Sequence, residues 1–323
     1  MLEQVFTPIR ERILELDNHY KKILENDNPD ISNILSQINL AEGKRLRPAM
    51  VFLSGGVAGE INHLTQITAL GLELLHYSSL LHDDVIDKGC KRRNKPTLNA
   101  LLDNKIAVLT GDYLLSECMN LIAKTNHAGL IAKLASVAKT MAYGELLQLS
   151  KPENKCLTES EYIEIVKHKT AYLISACFEM GIASCISDEN IIEKWKNFGE
   201  QIGIVFQLKD DLLDYQQSDE FLQKDINKDI KEHKITLPFI IAYERTTEAQ
   251  KPQLLDLYKH HNGTVEEIQK IIRIVSENGG IEYTENMINE MTNNCLDFVN
   301  QQNDSDYKRS LMLLVQFIRD RKF

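Results

Sequence analysis

Apolar residues return every three or four positions along almost the whole chain, as in Val5, Ile9, Ile13 and Leu16, or Leu130, Leu134, Val137 and Met141. That spacing is the period of an α-helix with one face turned inward. Alternating, strand-like patterns are scarce. From Glu73 to Leu81 small and apolar residues run around most of the helical circumference, which predicts a helix buried in the middle of a bundle.

Breaks rich in Gly, Pro, Asn, Asp or other polar residues at 26–30, 55–59, 89–96, 151–157, 187–190, 216–233 and 260–264 divide the pattern into about ten helices. Thr158 followed by Glu161 predicts a capping box, in which the two side chains satisfy free amides at a helix start. No Gly/Ser or Pro linker divides the chain and no repeat of about 20 to 50 residues recurs. The expectation is an all-α fold, a single helical domain over residues 1–323.

Composition narrows the class. With 37 Lys plus Arg against 47 Asp plus Glu, the 323 residues carry a net charge of −10, which argues against a nucleic-acid partner or a general affinity for anionic lipid. Six scattered cysteines without a CxxC pair fit reduced thiols in a cytoplasmic protein and make Cys-ligated zinc a poor fit. The N-terminus mixes charges into an amphipathic helix rather than a signal peptide. No stretch approaches the roughly 18 apolar residues of a membrane span.

The chemistry sits in two acidic runs. LLHDDVID places Asp83, Asp84 and Asp87 at the end of the buried helix, where Asp83 and Asp87 are one turn apart on one face. FQLKDDLLD repeats the spacing with Asp210, Asp211 and Asp214. Like charges so close repel unless a cation or proton intervenes. Facing clusters would offer hard oxygen ligands to Mg²⁺, which keeps several waters, takes one or two carboxylates and completes its shell with substrate phosphate. A DDxxD run is otherwise a solvated helix end, but two copies in apolar helices of one chain point to a carboxylate, metal, diphosphate arrangement.

Cations accompany the acids. Gly43, Lys44, Arg45, Leu46, Arg47 and Pro48 form a compact basic loop, and Arg92 and Arg93 follow Asp87 after a short turn. Arginine forks grip phosphate oxygens in pairs and lysine supplies a movable charge. Lys169 with Thr170, Lys224, Lys228 and Lys234 are weaker signals. His82 before Asp83 suggests a metal phosphohydrolase of the HD type, but that class needs further scattered His ligands; a hydrogen-bonded helix residue is the simpler reading.

Taken together, GKRLRP at 43–48, LLHDDVID, RRNKPT, GELLQL at 144–149, KT at 169–170, FQLKDDLLD and KDINKDIKEHKITLP at 224–238 resemble the trans-type isoprenyl diphosphate synthases, the polyprenyl synthetases, in family order over most of the chain. The resemblance implies a homodimeric all-α fold, a single large helical bundle around a deep central cavity, that joins isopentenyl diphosphate to an allylic diphosphate with three magnesium ions. It implies Asp83, Asp87 and Asp210 as principal metal ligands, with Asp84, Asp211 and Asp214 as neighbouring or water-mediated ones. Arg92, Lys169 and Lys224 would hold the allylic diphosphate, Lys234 would assist, and Lys44, Arg47, His76 and Arg93 would bind isopentenyl diphosphate. Thr170 and Gln207 would line the reaction centre. The released diphosphate would accept the proton, so no protein nucleophile is needed.

The chain departs from the family at Gln223, Asn227, His233 and Asn94, where glycines are common; Asn tolerates positive φ better than Gln or His. Product length depends on side chains below the first cluster. Ser78 and Ser79 lie roughly 6 to 8 Å down the helix from Asp83 at about 1.5 Å per residue, both small, which favours a long-chain, octaprenyl-type product for a respiratory quinone. Tyr77 competes, since an inward turn would narrow the path. A terpene cyclase would carry a different second metal motif, and a non-catalytic partner subunit would lose a cluster. The basic, amphipathic FIRDRKF end either closes the isopentenyl site or caps the last helix.

Overall fold

The computed structural model describes residues 1–38, 43–92, 95–152, 155–215 and 227–321. Among them, fourteen helices have eight residues or more: α1 Arg10–Leu24, α2 Pro29–Ser36, α3 Leu46–Ala58, α4 His63–Ile86, α5 Asn104–Ala123, α6 Ala128–Leu149, α7 Glu159–Val166, α8 Tyr172–Ala183, α9 Glu189–Leu213, α10 Leu237–Arg245, α11 Lys251–His260, α12 Val265–Glu277, α13 Gly280–Asn300 and α14 Asp306–Asp320. The extended elements among these residues are two two-residue strands, β1 Lys91–Arg92 and β2 Lys95–Pro96, paired antiparallel. The all-α expectation holds, with more helices than the breaks implied.

Helix starts follow local chemistry. Asn28 caps α2 ahead of Pro29, Asp103 caps α5, and capping boxes at Asn62/Thr65, Thr158/Glu161 and Thr264/Glu267 open α4, α7 and α12. The break expected at 55–59 comes late, because α3 runs on to Ala58. Gly56 is there for closeness: a Cβ on it would meet the Tyr307 ring at 2.5 Å.

By internal contacts the chain forms two compact units. One comprises residues 1–139, 173–199 and 302–313; the other comprises 140–172, 200–301 and 314–323. Of the five divisions, three fall inside α6, α9 and α14, one follows the first residue of α8, and one falls in the short loop after α13.

In the first unit α4 packs along α5 and against α3, and buries Leu72, Leu74 and Leu75. Phe178, Trp195 and Phe198 close its aromatic core, with ring centroids 4.9 to 6.3 Å apart. Helix α5 is long and apolar enough to cross a membrane by length and composition, although a third of its most apolar stretch is buried. Asp112 and Glu117 interrupt it, which is why no unbroken apolar run stands out in the sequence.

In the second unit α12 is the clearest amphipathic helix. Ile268, Ile271, Ile272 and Val275 follow the i, i+3, i+4, i+7 rule and bury against Phe239, Tyr258 and Ile230. Each such side chain contributes about 1.5–3 kcal/mol on burial.

Candidate functional site

In the first unit the DDxxD run forms the last turn of α4, with Asp87 as its C-cap. The three carboxylates differ. Asp84 is buried, Asp83 half-buried and Asp87 exposed. Arg92 on β1 places its fork on Asp84, with Nε 3.0 Å and Nη2 2.9 Å from Oδ1, and Asn99 donates to the Asp84 carbonyl at 3.3 Å. The hairpin is thereby tied to the helix end, and Arg92, expected on phosphate, is held by Asp84 here. His82 faces the Val108 carbonyl at 3.2 Å and Asp112 at 3.3 Å, the arrangement of a hydrogen-bonded helix residue.

The basic loop separates its cations by geometry. Arg45 adopts left-handed φ 52° and is buried, donating to Asp17 at 2.8 Å and to the Tyr77 hydroxyl at 3.2 Å, 3.6 Å from Glu73 and 4.9 Å above the Tyr20 ring. It is a structural cation that holds α1, the loop and α4 together. Tyr77 is thus committed to the loop rather than to the flank of Ser78. Lys44 is exposed and Arg47 half-buried, with a buried Nε that has no hydrogen-bond partner among the described residues. That unmet donor suits an anion. His76 is half-buried, Ser78 only 2% exposed, and the Ser79 hydroxyl donates to the His76 carbonyl at 2.8 Å. Arg93 and Lys224 lie outside the described residues, as do Asn94 and Gln223.

In the second unit α7 runs on through a π turn, Lys167–Ala171, which carries Lys169 and Thr170. Such turns are rare and concentrate at functional sites. Two glycines allow it. A Cβ on Gly144 of α6 would lie 2.8 Å from the Lys169 amide, and one on Gly203 of α9 would collide with Ala171. The Lys169 ammonium sits 2.5 Å from Glu145 and 3.3 Å from the Gln148 carbonyl, both from the GELLQL run.

Thr170 donates to the Gln207 carbonyl at 2.8 Å, and the Gln207 amide donates to Asp211 Oδ1 at 2.8 Å. The Tyr162 hydroxyl donates to Asp211 Oδ2. These residues, with Gln148, Lys169, Asp229 and Lys234, line a cavity of about 310 Å³ whose apolar walls include Leu157, Ile165 and Ile235.

Burial pushes the Asp211 carboxyl up to about 7, against the pull of the Tyr162 and Gln207 hydrogen bonds. Asp214 is pushed up to about 6 by burial and by Asp229, which burial raises as well. Three carboxyls raised together are short of positive charge.

Asp210 is nearly half-exposed and pairs at 2.8 Å with Arg321, whose guanidinium carbon lies 3.8 Å from the centre of the Phe206 ring. Arg321 of the C-terminal run thus reaches the second acidic run. Asn227 takes φ 60°, as its substitution for glycine anticipates, and donates to the Asp214 carbonyl. His233 also takes positive φ, 58°, with its Nδ1 3.0 Å from the Tyr258 carbonyl and its ring 4.4 Å from that of His261. Lys234 pairs with Glu232 at 2.8 Å.

Sequence reasoning missed Tyr162, the structural role of Arg45 and the spacing role of Gly144 and Gly203. Tyr162 lies seven residues before Lys169, two helical turns, which is the one signal that placed it on the same face. Among the described residues no three His, Cys, Asp or Glu side chains surround one point. A closed zinc-like cage is therefore not built from them, whereas the all-carboxylate donor set of the two motifs fits hydrated Mg²⁺, which needs one or two protein oxygens per ion.

The family model described as polyprenyl synthetase matches residues 28–275. An all-trans-nonaprenyl-diphosphate synthase of Rhodobacter capsulatus is 29% identical over 99% of this chain and 98% of its own. A polyprenyl synthase from Caulobacter crescentus, solved with calcium and isoprenyl diphosphate, superposes with TM-score 0.90 at 26% identity, covering 100% of this chain and 98% of that one. A geranylgeranyl pyrophosphate synthase from Bacteroides thetaiotaomicron superposes with TM-score 0.82 at 30% identity over 98% of both chains.

Proposed function

The chain belongs to the polyprenyl synthetase family and with it to the trans-prenyltransferases, and on that premise we propose that it extends an allylic diphosphate by successive trans condensations with isopentenyl diphosphate. The product is a long-chain polyprenyl diphosphate of the octaprenyl type, suited to a respiratory quinone. Geranyl, farnesyl or geranylgeranyl diphosphate serves as starter, and residues 1–323 act as one synthetase domain. The observation that carries this reading is the cavity in which the Lys169 ammonium, the Thr170 and Gln207 oxygens and apolar walls meet.

Ionising an allylic diphosphate separates an anionic leaving group from a carbocation. Lys169, steadied by Glu145 and Gln148, stabilises the departing negative charge, and Arg92 would bind diphosphate when released from Asp84. Thr170 and Gln207 offer neutral oxygen dipoles that stabilise the cation without capturing it. Lys44, His76, Arg93 and the unmet Nε of Arg47 hold the diphosphate of isopentenyl diphosphate. Lys224 and Lys234 would bind the allylic diphosphate, which accepts the proton after it leaves. Asp83, Asp87 and Asp210 would hold magnesium, with Asp84 and Asp214 behind them; bound there, the metal supplies positive charge that neutralises diphosphate.

The growing chain passes Ser78 and Ser79, and Tyr77 stays with Arg45. Val108, Leu109, Tyr113 and Met119 leave an apolar face on α5, between 38% and 67% exposed, which fits a second copy in a homodimer. The enzyme works in the cytoplasm and releases its apolar product to the membrane.

A shorter, geranylgeranyl-length product is the competing reading, favoured by the 30% identity to the Bacteroides enzyme. Incubation with Mg²⁺, isopentenyl diphosphate and farnesyl or geranylgeranyl diphosphate, followed by chromatography, separates the possibilities. Long diphosphates support the proposal. A hydrocarbon or alcohol means a cyclase, and no turnover means a partner subunit. Ser78→Phe shortens the products if Ser78 lies on the path; an unchanged product length removes it from that role.

A further inference from the structure

Tyr162 belongs to no motif of the sequence, yet it is 5% exposed and its one polar atom is spent on Asp211. Ionised, the Asp211 carboxylate only accepts hydrogen bonds and an amide group donates only from its nitrogen, so in that form the chain of contacts has one consistent direction. Tyr162 donates to Oδ2, the Gln207 nitrogen donates to Oδ1, the Gln207 carbonyl therefore turns to Thr170, and the Thr170 hydroxyl donates to it. Thr170 then presents lone pairs rather than a proton to the cavity. That polarity suits a carbocation.

We propose that Tyr162 is a positioning residue: with Gln207 it takes up both oxygens of Asp211 and makes that carboxylate an anchor for Gln207 and Thr170 instead of a ligand for magnesium. Asp211 is 2% exposed, which agrees with an anchor and leaves the ligand role to its neighbours Asp210 and Asp214. Without the phenol, Asp211 Oδ2 loses its donor and the carboxylate its fixed orientation, so Gln207 and Thr170 lose the anchor that sets their positions. The inference rests on the prenyltransferase reading and adds Tyr162 to it.

The test uses the full chain with Mg²⁺, isopentenyl diphosphate and farnesyl diphosphate. Tyr162→Phe is expected to lower kcat about 10- to 100-fold while both KM values and the half-activating Mg²⁺ concentration stay within about twofold. Asp211→Asn, which replaces one of the two acceptors by a donor and so breaks the fixed direction of the contacts, is expected to behave the same way. Asp210→Asn is expected to raise the Mg²⁺ requirement about tenfold or more. A wild-type kcat in Tyr162→Phe, or an Asp211→Asn variant that needs as much extra Mg²⁺ as Asp210→Asn, overturns the assignment. If Tyr162→Phe does not fold, the Mg²⁺ dependence of Asp211→Asn decides alone. An inactive wild-type chain refutes the prenyltransferase reading instead, so the two failures are told apart.

Discussion

The two DDxxD runs are spelled alike, and in each the second aspartate is the most buried, Asp84 at 8% and Asp211 at 2%. Their partners differ in kind. Asp84 is met by the charged fork of Arg92, whereas Asp211 is met by the neutral donors of Tyr162 and Gln207. Burial pushes Asp211 up to about 7 against the pull of its neutral donors. The lesson is that one motif fixes a helix end to a loop, while the other fixes an oriented string of dipoles inside a cavity.

The largest expected effect separates outer from middle carboxylates. Asp83→Asn and Asp210→Asn should each lower turnover about a thousandfold, several kcal/mol of transition-state charge stabilisation, in steady-state assays with saturating Mg²⁺. A loss below about tenfold in either would break the assignment of ligands.

Next comes pH. In the metal-free chain Asp211 and Asp214 titrate near 7 and 6 when folded and near 4 when unfolded, so between those values the folded state holds protons that the unfolded state has lost. Their contribution to stability is therefore present at low pH and is lost as pH rises through about 7, on the order of a few kcal/mol. Denaturant titrations with chelator from about pH 4 to 8 should follow that slope, and Asp211→Asn should flatten it. A metal-free chain whose stability rises with pH across that window would contradict the buried, uncompensated state of Asp211.

Gly203→Ala should destabilise by about 1–3 kcal/mol through its collision with Ala171, and should shift the Thr170 turn with it. A midpoint unchanged in urea would mean that the π turn has more room than described. The smallest effect is local: Arg92→Gln should speed hydrogen exchange across residues 89–97 while Tyr162→Phe leaves that hairpin untouched. Exchange that responds equally to both would erase the contrast between the motifs.

Much of this was legible in the sequence because it follows from periodicity and local chemistry: the helices, the Thr158 capping box, the buried α4 and the positive φ of Asn227. Three kinds of fact were not. Lys44, Arg45 and Arg47 are neighbouring cations, and only geometry makes Arg45 the buried tie. Tyr162 reads as one more inward residue on an amphipathic helix, since nothing local announces a hydrogen bond to a carboxylate 49 positions away. The His233 backbone is left-handed against its propensity, because Tyr258 and His261 give its ring partners.

The claim at the centre is that the two acidic motifs serve one diphosphate through magnesium. It is tested most directly by titrating farnesyl thiodiphosphate, an unreactive analogue, into the wild type, Asp83→Asn, Asp210→Asn and the double variant by calorimetry with and without Mg²⁺. The expected result is strong non-additivity: each single change removes most of the Mg²⁺-dependent affinity, and the double variant loses little more. Losses that simply add would mean that the motifs act on separate ligands.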